Sequence, residues 1–264
     1  MTENRLAPRY GQPDIEYFRR MAETPPDRDG PVFMVNLMKY REVADYADGR
    51  GDIRSGREAD NEYTPAEILR DIGAEIVFAA DVERQLVGET PKWDRIGIVK
   101  YPSRKAFIKM QTRQDFRAKH VHKEAGMERT IVIACLPMPV PELPEPPTVT
   151  CAEGDRPFVM MHVMKYGEAG PAGMAEYSAT AGAAGIALGV RPYVRLRAER
   201  TAVGDGRQWD EVHFNRFPNH AIFDELRANQ THKAGQPVRK GALEDSYSLM
   251  LIPIIDRLAA AIRD

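Results

Sequence analysis

The 264-residue sequence has little of several features that would point directly to a function. It contains two cysteines, which are too few for a disulfide scaffold and fit a reducing compartment. Its formal net charge of −2 gives no general attraction for a phosphate backbone, so nucleic acid is not an expected partner. No apolar run approaches a membrane span, and charges occupy the N-terminus where a signal peptide needs apolar residues. We therefore expect a soluble, cytoplasmic protein with no membrane partner.

Sequence motifs for nucleotide and metal chemistry are also missing. There is no phosphate-binding loop, Rossmann glycine pattern, nucleophile elbow or zinc-finger spacing. Cys135 and Cys151 flank a proline-rich segment, and we expect free thiols there in preference to a disulfide across it. Nucleotide-dependent chemistry is therefore not expected.

The sequence does contain an internal repeat. Residues 31–40 (PVFMVNLMKY) align with 157–166 (PFVMMHVMKY), and a glycine-to-Trp-Asp turn at 88–94 aligns with 204–210, which favours an architectural role for that turn. The register between the copies changes after the first match, so copy one carries an insertion. Its charged residues 41–60 are expected to form an exposed loop. The repeat predicts two similar modules in one chain.

Each copy shows the same order of predicted elements. Eight strands are predicted, four in each copy: 32–40, 74–87, 93–101, 129–136, 158–166, 190–203, 209–217 and 246–253. The first helix of copy one should begin at an N-cap, Thr64, and end at Gly73, and its counterpart covers 171–189. The second helices should begin after the N-caps Ser103 and Asn219. The order β-α-β-β-α-β is that of a ferredoxin-like module.

Strands that are apolar on both faces need a cover on each side. Packing the two modules sheet to sheet supplies one cover, and helices outside supply the other. We therefore expect an α+β fold in which two ferredoxin-like βαββαβ modules form an intramolecular dimeric α/β barrel. The expected segments are an N-terminal extension, module one, a proline-rich linker, module two and a C-terminal amphipathic helix, at 1–30, 31–136, 137–156, 157–253 and 254–264. Whether the fused barrel pairs further into a homodimer is left open.

Copy one resembles the DUF1330 family of uncharacterised proteins, within the dimeric α/β-barrel superfamily. The resemblance rests on FMVNLMKY at 33–40, the turn at 88–94, YPSRKAF at 101–107 and FRAKHVHKEA at 116–125. In copy two, Gln236 and Val238 replace the two histidines, so a site on this helix is expected once. The resemblance implies a ligand pocket between sheet and helices. It leaves the chemistry open, because the superfamily includes cofactor-free monooxygenases, lactone isomerases, heme enzymes and binding proteins.

The expected site in copy one has four candidate residues, Asn36, Tyr40, His120 and His122. Asn36 and Tyr40 lie on one face of the first strand, where a buried amide needs hydrogen-bond partners. His120 and His122 point about 200° apart on their helix, so only one of them can face a given pocket. A neutral His120 could act as a general base, and Asn36 could stabilise an enolate or phenolate oxygen. A satisfied buried asparagine and a solvated histidine pair are the structural alternatives.

These residues favour a cofactor-independent enzyme of the monooxygenase, isomerase or lyase/decarboxylase type, acting on a small apolar or aromatic metabolite. Two alternatives stay open. The Phe-x-x-x-His-x-His spacing and the first-strand asparagine are similar to those of heme-degrading monooxygenases, which implies heme with His120 as its axial ligand. A non-catalytic small-molecule binding protein could use the same pocket.

Copy two offers a second set of candidates, His162 and Tyr166 on its first strand and His213 on its third. Both histidines could face the same side of the sheet if the strand alternation places them there. Two histidines without a third ligand make a poor metal site, and Glu211 is not expected to reach them. No metal is therefore expected, and these residues are alternatives to the copy-one site.

Overall fold

The computed structural model describes residues 8–51, 53–149 and 154–263. The strands are β1 Gln12–Pro13, β2 Val32–Tyr40, β3 Glu75–Val87, β4 Arg95–Tyr101, β5 Met127–Met138, β6 Phe158–Tyr166, β7 Arg191–Gly204, β8 Glu211–Phe217 and β9 Leu243–Asp256. The α-helices are α1 Ile15–Glu23, α2 Gly56–Tyr63, α3 Ala66–Asp71, α4 Arg104–Thr112, α5 Gln114–Gly126, α6 Gly170–Tyr177, α7 Ala183–Ala187, α8 His220–Ala228, α9 Gln230–Ala242 and α10 Leu258–Arg263. A 3-10 helix lies at Pro26–Arg28, and a π-helical segment, Ser178–Gly182, joins α6 to α7.

Eight antiparallel strands close into a barrel. Neighbouring strands follow the order β7-β5-β2-β4-β3-β9-β6-β8, and β8 pairs with β7 to complete the circle. Each of these eight strands therefore has a ladder partner on both sides. β1 pairs with the C-terminal end of β7. The predicted α+β class and the closed barrel are confirmed.

The strand order is the same in both halves of the chain. It is β5-β2-β4-β3 in the first half and β9-β6-β8-β7 in the second. Ladders between β5 and β7 and between β3 and β9 join the halves. The eight predicted strands all form, and their ends lie within three residues of the predicted ones. Strong apolar alternation in both copies explains this agreement.

Side chains fill the barrel interior. One buried cluster takes members from all eight barrel strands and includes Trp93 and Trp209, whose rings lie 5.7 and 5.4 Å from that of Tyr247. The opposite faces of β2 and β6 carry Met34 and Met160, which pack in separate clusters with helix side chains. The helices therefore lie outside the barrel. Polar side chains can gather only in these outer layers or at the barrel ends.

Cys135 is a buried free thiol in the barrel interior, as expected. Burial raises the pKa of this thiol, so it is not a reactive thiolate. Cys151 lies outside the described residues, and the expectation for it stays a prediction.

The C-terminal helix is shorter than predicted. β9 continues to Asp256, so α10 begins at Leu258 and not at residue 254. Leu258 and Ala261 join the interior cluster, and the Lys100 Nζ donates to the Ala261 carbonyl at 2.7 Å. The helix therefore covers one end of the barrel. In the part of the chain that the structure describes, no helix is long and apolar enough to cross a membrane.

The prediction that residues 41–60 form an exposed loop is wrong at the C-terminal end of that segment. Gly56 begins α2, and both Tyr46 and Asp60 are buried. Ser55 and Glu58 form a capping box at the start of α2. The charged composition gives no sequence signal for this helix. Its polar residues hydrogen-bond to each other, and its burial depends on tertiary contacts.

Two predicted helix caps are confirmed and one is wrong. The side chains of Ser103 and Asn219 accept backbone N–H groups at the starts of α4 and α8. Thr64 follows the last residue of α2, and α3 begins after Pro65 without a side-chain cap. The prediction for Thr64 requires a loop directly before it. The structure has α2 there instead, which ends at Tyr63.

Two glycines allow α2 to pack closely against α5. A Cβ on Gly56 would lie 2.3 Å from the Gly126 carbonyl oxygen, and a Cβ on Gly126 would lie 2.4 Å from that of Gly56. Neither position has room for a side chain. The approach brings Asp60 of α2 into electrostatic contact with Lys123 of α5.

Gly126→Ala should destabilise the protein by about 2 kcal/mol, because the added methyl group overlaps the Gly56 backbone and forces α2 outward. Gly241 lies near the end of α9 with open space around its Cβ position, so Gly241→Ala is a matched control. The control should be neutral or stabilise by up to about 1 kcal/mol. Urea unfolding followed by circular dichroism measures both variants. Equal stability of Gly126→Ala and the wild type would contradict the close contact.

Candidate functional site

Polar side chains gather in the layer between the barrel and helices α2 and α5. The face of α5 that meets this layer presents three residues at a spacing of four and three, as helix geometry requires. The N-terminal segment, β2 and α2 supply the rest. We call the set the His120 cluster: Tyr10, Tyr40, Asp60, Tyr63, Phe116, His120 and Lys123.

His120 lies in aromatic surroundings. Its Nε2 is 2.9 Å from the Tyr10 hydroxyl, and the rings of Phe116 and Tyr63 are 5.5 and 6.1 Å from the imidazole. Burial, and then the positive charge of Lys123, lower the pKa of His120 to about 4. The imidazole is therefore neutral at pH 7. About a quarter of the side chain, 26%, stays exposed.

Lys123 is a buried cation. Only 8% of the residue is exposed, and its Nζ lies 5.5 and 5.3 Å from the ring centroids of Tyr10 and Tyr63. No carboxylate of the described residues lies within ion-pair distance of this Nζ. Burial lowers the pKa of Lys123, while the charges of Asp60 and Glu124 act in the opposite direction. The ammonium therefore has aromatic faces, and no anion, as its direct contacts.

Tyr40 and Asp60 form a second hydrogen-bonded pair. The Tyr40 hydroxyl donates to Asp60 Oδ2 at 2.7 Å, and Arg95 Nη1 lies 3.8 Å from the same oxygen. Burial, and then the charge of Asp60, raise the pKa of Tyr40. The phenol therefore keeps its proton and holds the Asp60 carboxylate in place. Tyr40 was predicted as a site residue, and it belongs to the His120 cluster.

Asn36 lies half-buried on the outer face of β2, the face that also carries Tyr40. Its Nδ2 donates to the carbonyls of Met34 and Gly97, at 3.0 and 3.4 Å. The amide hydrogens of Asn36 are therefore engaged in hydrogen bonds with backbone carbonyls of the sheet. Within the described residues, no hydrogen bond joins Asn36 to His120.

His122 lies on a different side of α5 from His120. Its Nδ1 is 2.7 Å from the Tyr46 hydroxyl, and its ring meets that of Tyr46 edge to face. The prediction that the two histidines cannot share a pocket is confirmed. His122 joins α5 to the insertion, and the structure does not bring it into the His120 cluster.

The second-half candidates do come together. His162 and His213 are direct partners in the β6–β8 ladder, so they share the outer face. His162 Nδ1 lies 2.9 Å from Ser248 Oγ, and His213 Nε2 lies 2.6 Å from Glu211. The expectation for Glu211 was wrong, because alternate residues of a strand share a face. Tyr166 hydrogen-bonds to the same carboxylate. No three metal-ligating side chains meet among the residues described.

Sequence reasoning missed four members of the cluster: Tyr10, Asp60, Tyr63 and Lys123. Lys123 could have been found, since Phe116, His120 and Lys123 fall on one helical face. Tyr10 lies in the N-terminal extension, and Asp60 lies in the insertion. Neither segment has a counterpart in the repeat, so no pattern marked these two residues.

The residues around His120 do not fit heme, which the family resemblance implies as an alternative. The Tyr10 hydroxyl lies 2.9 Å from His120 Nε2. This nitrogen would have to be free of such a contact in order to coordinate heme iron. The rings of Tyr10 and Tyr63 also surround the imidazole, with centroids 6.0 and 6.1 Å from it. The chemistry of this site is therefore argued without heme.

No protein-family model and no curated protein matches the chain. Among solved structures, the methylated RPA0582 protein, of unknown function and from Rhodopseudomonas palustris, is 30% identical over 48% of this chain and 94% of that chain, with a TM-score of 0.44. An anthrone oxidase-like protein is 14% identical over 86% of this chain and 92% of that chain, with a TM-score of 0.50. Chlorite dismutase from Candidatus Nitrospira defluvii is 10% identical over 93% of this chain and 99% of that chain, with a TM-score of 0.47. The anthrone oxidase-like protein has the dimeric α/β-barrel fold. This likeness shows the fold alone.

The imidazole of His120 should titrate near pH 4 in NMR spectra of its Cε1–H group. Because the unfolded state takes up this proton near pH 6.5, the free energy of unfolding should fall as the pH drops from 6.5 to about 4. Lys123→Met should raise the pKa of His120 only in part, since burial is the larger cause. Lys109→Met, at an exposed position of α4, is the control and should leave this pKa unchanged. A wild-type His120 that titrates at the ordinary value would contradict this description.

Hemin titration provides a separate check on the site. The ultraviolet–visible spectra of the wild type and His120→Ala should superimpose at every hemin concentration, because Tyr10 occupies the ligand position at Nε2. Tyr10→Phe serves as a comparison in which this hydroxyl is absent. A sharp Soret band in the wild type that is lost in His120→Ala would overturn the argument against heme.

Proposed function

We propose that the protein is a cofactor-independent enzyme that removes a proton from a small aromatic or apolar substrate and stabilises the resulting anion. The observation that carries the proposal is the neutral imidazole of His120 beside the buried ammonium of Lys123. A neutral imidazole has a lone pair that can accept a proton at pH 7, although a pKa of about 4 makes His120 a weaker base than an ordinary histidine. An ammonium in a water-poor aromatic layer can stabilise a negative charge as it develops. The two side chains supply both requirements of the reaction.

His120 takes the substrate proton at Nδ1. Burial raises the pKa of Tyr10, so its phenol keeps its own proton. In the reactive tautomer the His120 Nε2 carries the ring hydrogen and donates it to the Tyr10 oxygen, which leaves the lone pair on Nδ1. The Glu124 carboxylate, 3.8 Å from Nδ1, stabilises the imidazolium that forms. Tyr10 is thus a positioning residue for the base.

Lys123 stabilises the substrate anion. The ring faces beside its Nζ favour a flat apolar or aromatic substrate, which excludes water as it binds. Asn36 was the first candidate for this role, but its amide hydrogens are engaged within the sheet. The ammonium hydrogens of Lys123 have no such partner among the described residues. Anion stabilisation is therefore assigned to Lys123.

Proton removal is a step that oxygenation, isomerisation and some decarboxylation sequences can share. Anthrone is a suitable probe, because its methylene group is acidic and its anion is an aromatic phenolate. Oxidation of that anion by one O₂ gives one anthraquinone and one water, with both methylene hydrogens leaving the carbon. This reaction needs no cofactor. A lactone or an aromatic ketone without an oxidisable methylene group undergoes the same proton removal. Its reaction then ends with hydrogen exchange or isomerisation.

The barrel is further proposed to be a tandem duplication related to DUF1330, with two ferredoxin-like modules packed sheet to sheet. The matching strand orders of the two halves support this proposal. The repeated Trp-Asp turn gives further support: Asp94 accepts the backbone N–H of Tyr40 at 2.8 Å, and Asp210 accepts that of Tyr166 at 2.7 Å. In this description the first module holds the base, and the second completes the barrel.

His120→Gln should slow exchange of the anthrone methylene hydrogens by at least about 100-fold, since it removes the general base. Lys123→Met should slow it by about 100-fold, since it removes the stabilising charge. Deuterium incorporation measured by NMR under argon isolates this step from oxidation. Lys109→Met removes an exposed lysine and should exchange at the wild-type rate.

Oxygen uptake by the same samples in air then separates the reaction types. Exchange with oxygen uptake assigns an oxygenase, and exchange without it assigns the isomerase or lyase type. A panel of aromatic ketones and lactones extends the test beyond anthrone. Recovery of every compound unexchanged, at the rate of buffer alone, would contradict the proposal and favour a binding protein.

A further inference from the structure

A positively charged cleft lies at the end of the barrel that α10 covers. It has a volume of about 600 Å³ and is bordered by the start of β7, the ends of β8 and β9, and α10. This volume is typical of a small-molecule site. The lining contains four arginines and one aspartate, which are Arg191, Arg216, Arg257, Arg263 and Asp256. The cleft shares no residue with the His120 cluster.

Carboxylates balance two of the four arginines. Arg216 Nη2 lies 2.8 Å from Asp256 Oδ2, and Arg257 Nη1 lies 2.6 Å from Glu75 Oε1. The other oxygen of Asp256 accepts a hydrogen bond from the Tyr193 hydroxyl. Both oxygens of Asp256 are therefore engaged, and this carboxylate does not balance a further cation.

Arg191 is held in place without an anion. Its Nη1 donates to the carbonyls of Ile186 and Val190 at 2.9 and 3.0 Å, and its Nη2 donates to that of Pro144 at 3.4 Å. Its Nε is buried and has no hydrogen-bond partner in the described part of the chain. A buried donor without an acceptor is unfavourable. The three carbonyls fix the position of the guanidinium, but they carry no net charge and leave its positive charge unbalanced.

The remaining donors of Arg191 lie on one edge of its guanidinium. The two carbonyls take both hydrogens of Nη1, whereas Nη2 keeps one hydrogen and Nε keeps its only one. Nε and Nη2 form an edge that matches two oxygens of an anion. Arg263, in the last turn of α10, is exposed and has no carboxylate partner among the described residues. The cleft therefore presents two guanidinium groups whose charges are not balanced.

Most of the remaining lining is apolar. These residues are Pro157, Pro192, Phe217, Pro218, Ala259 and Ala260. A surface of this kind favours contact with an apolar body, whereas the arginines favour an anionic group. The cleft therefore suits an organic anion better than an inorganic one.

We propose that this cleft is a second binding site, which takes a small phosphate monoester with a flat apolar body. A phosphate monoester is mostly a dianion at neutral pH and can balance both guanidinium groups, whereas a monocarboxylate would leave one of them unbalanced. Arg191 binds two of its oxygens through Nε and Nη2, and Arg263 binds the third. The apolar residues contact the organic body. This site does not depend on the proposed reaction.

Isothermal titration of the full chain with phenyl phosphate, in a low-salt buffer without phosphate, tests the site. The wild type should bind saturably. Arg263→Gln should weaken binding by at least about fivefold and Arg191→Gln by at least about tenfold, since each removes a charged contact to the phosphate. Arg227→Gln makes the same charge change at an exposed position of α8 outside the cleft and should bind as the wild type does. Lys123→Met should also retain binding, which separates this site from the first half.

Ala260→Glu is a variant that removes no contact of the fold. Ala260 is exposed on α10 and lines the cleft, so a glutamate there adds a negative charge beside the site. It should weaken phenyl phosphate binding by about tenfold, with little change in the urea midpoint of unfolding. Phenyl phosphate should raise the midpoint of the wild type clearly more than that of Ala260→Glu. This variant keeps the test decisive if Arg191→Gln fails to fold.

Ligand comparisons identify the anion. Inorganic phosphate should bind more weakly than phenyl phosphate, because it makes no apolar contacts, and benzoate should bind more weakly because it carries a single charge. The proposal would be overturned by absent binding of phenyl phosphate or by tighter binding of benzoate or inorganic phosphate. Undiminished binding in both Arg263→Gln and Ala260→Glu, or an equal loss in Arg227→Gln or Lys123→Met, would also overturn it.

Discussion

Closure of the barrel by the β5–β7 and β3–β9 ladders is the constraint on which the rest of the structure depends. Each half of the chain has one sheet face that is apolar, and only the other half can cover it. The two faces interdigitate, as the 5.6 Å contact between the rings of Phe78 and Phe214 illustrates. Trp93 and Trp209 both pack on Tyr247 within the same interior. Because side chains fill the lumen, any binding site has to form outside it, between the sheet and its helices or at the barrel ends.

The two outer layers have the same framework but different chemistry. At equivalent strand positions, paired with Met38 and Met164, the first half has Arg95 and the second half has Glu211. Arg95 lies near the Asp60 carboxylate, whereas Glu211 binds an imidazole. The sign of the strand charge is therefore reversed between the two halves. One framework can in this way present two different polar surfaces without any change in its core.

Most of the fold could be predicted from sequence, because the strands are specified by their own apolar alternation. The α2 helix could not, because it is short, polar and stabilised from outside its own sequence by the Gly56–Gly126 contact and by the hydrogen bond from Tyr40 to Asp60. The same distinction between local sequence signals and tertiary contacts applies to the residues of the candidate site. His120 could be found from its spacing on one helix, whereas its partner Tyr10 lies 110 residues away in the chain. Contacts of this kind arise from tertiary structure and leave no local pattern.

The buried ammonium of Lys123 explains how the outer layer of the first half can favour an anion. Desolvation of a cation is only partly offset by aromatic faces, which stabilise it by roughly 1–2 kcal/mol. The remaining cost is relieved when a negative charge comes close, so this layer favours the anionic state of a ligand over its neutral state. In the first half a neutral imidazole lies beside the cation, and a substrate can become anionic there by losing its proton. In the second half Gln236 occupies the helix position of His120, so that layer lacks the base. In the proposed reaction, the identity of this single helix residue therefore limits proton removal to the first half.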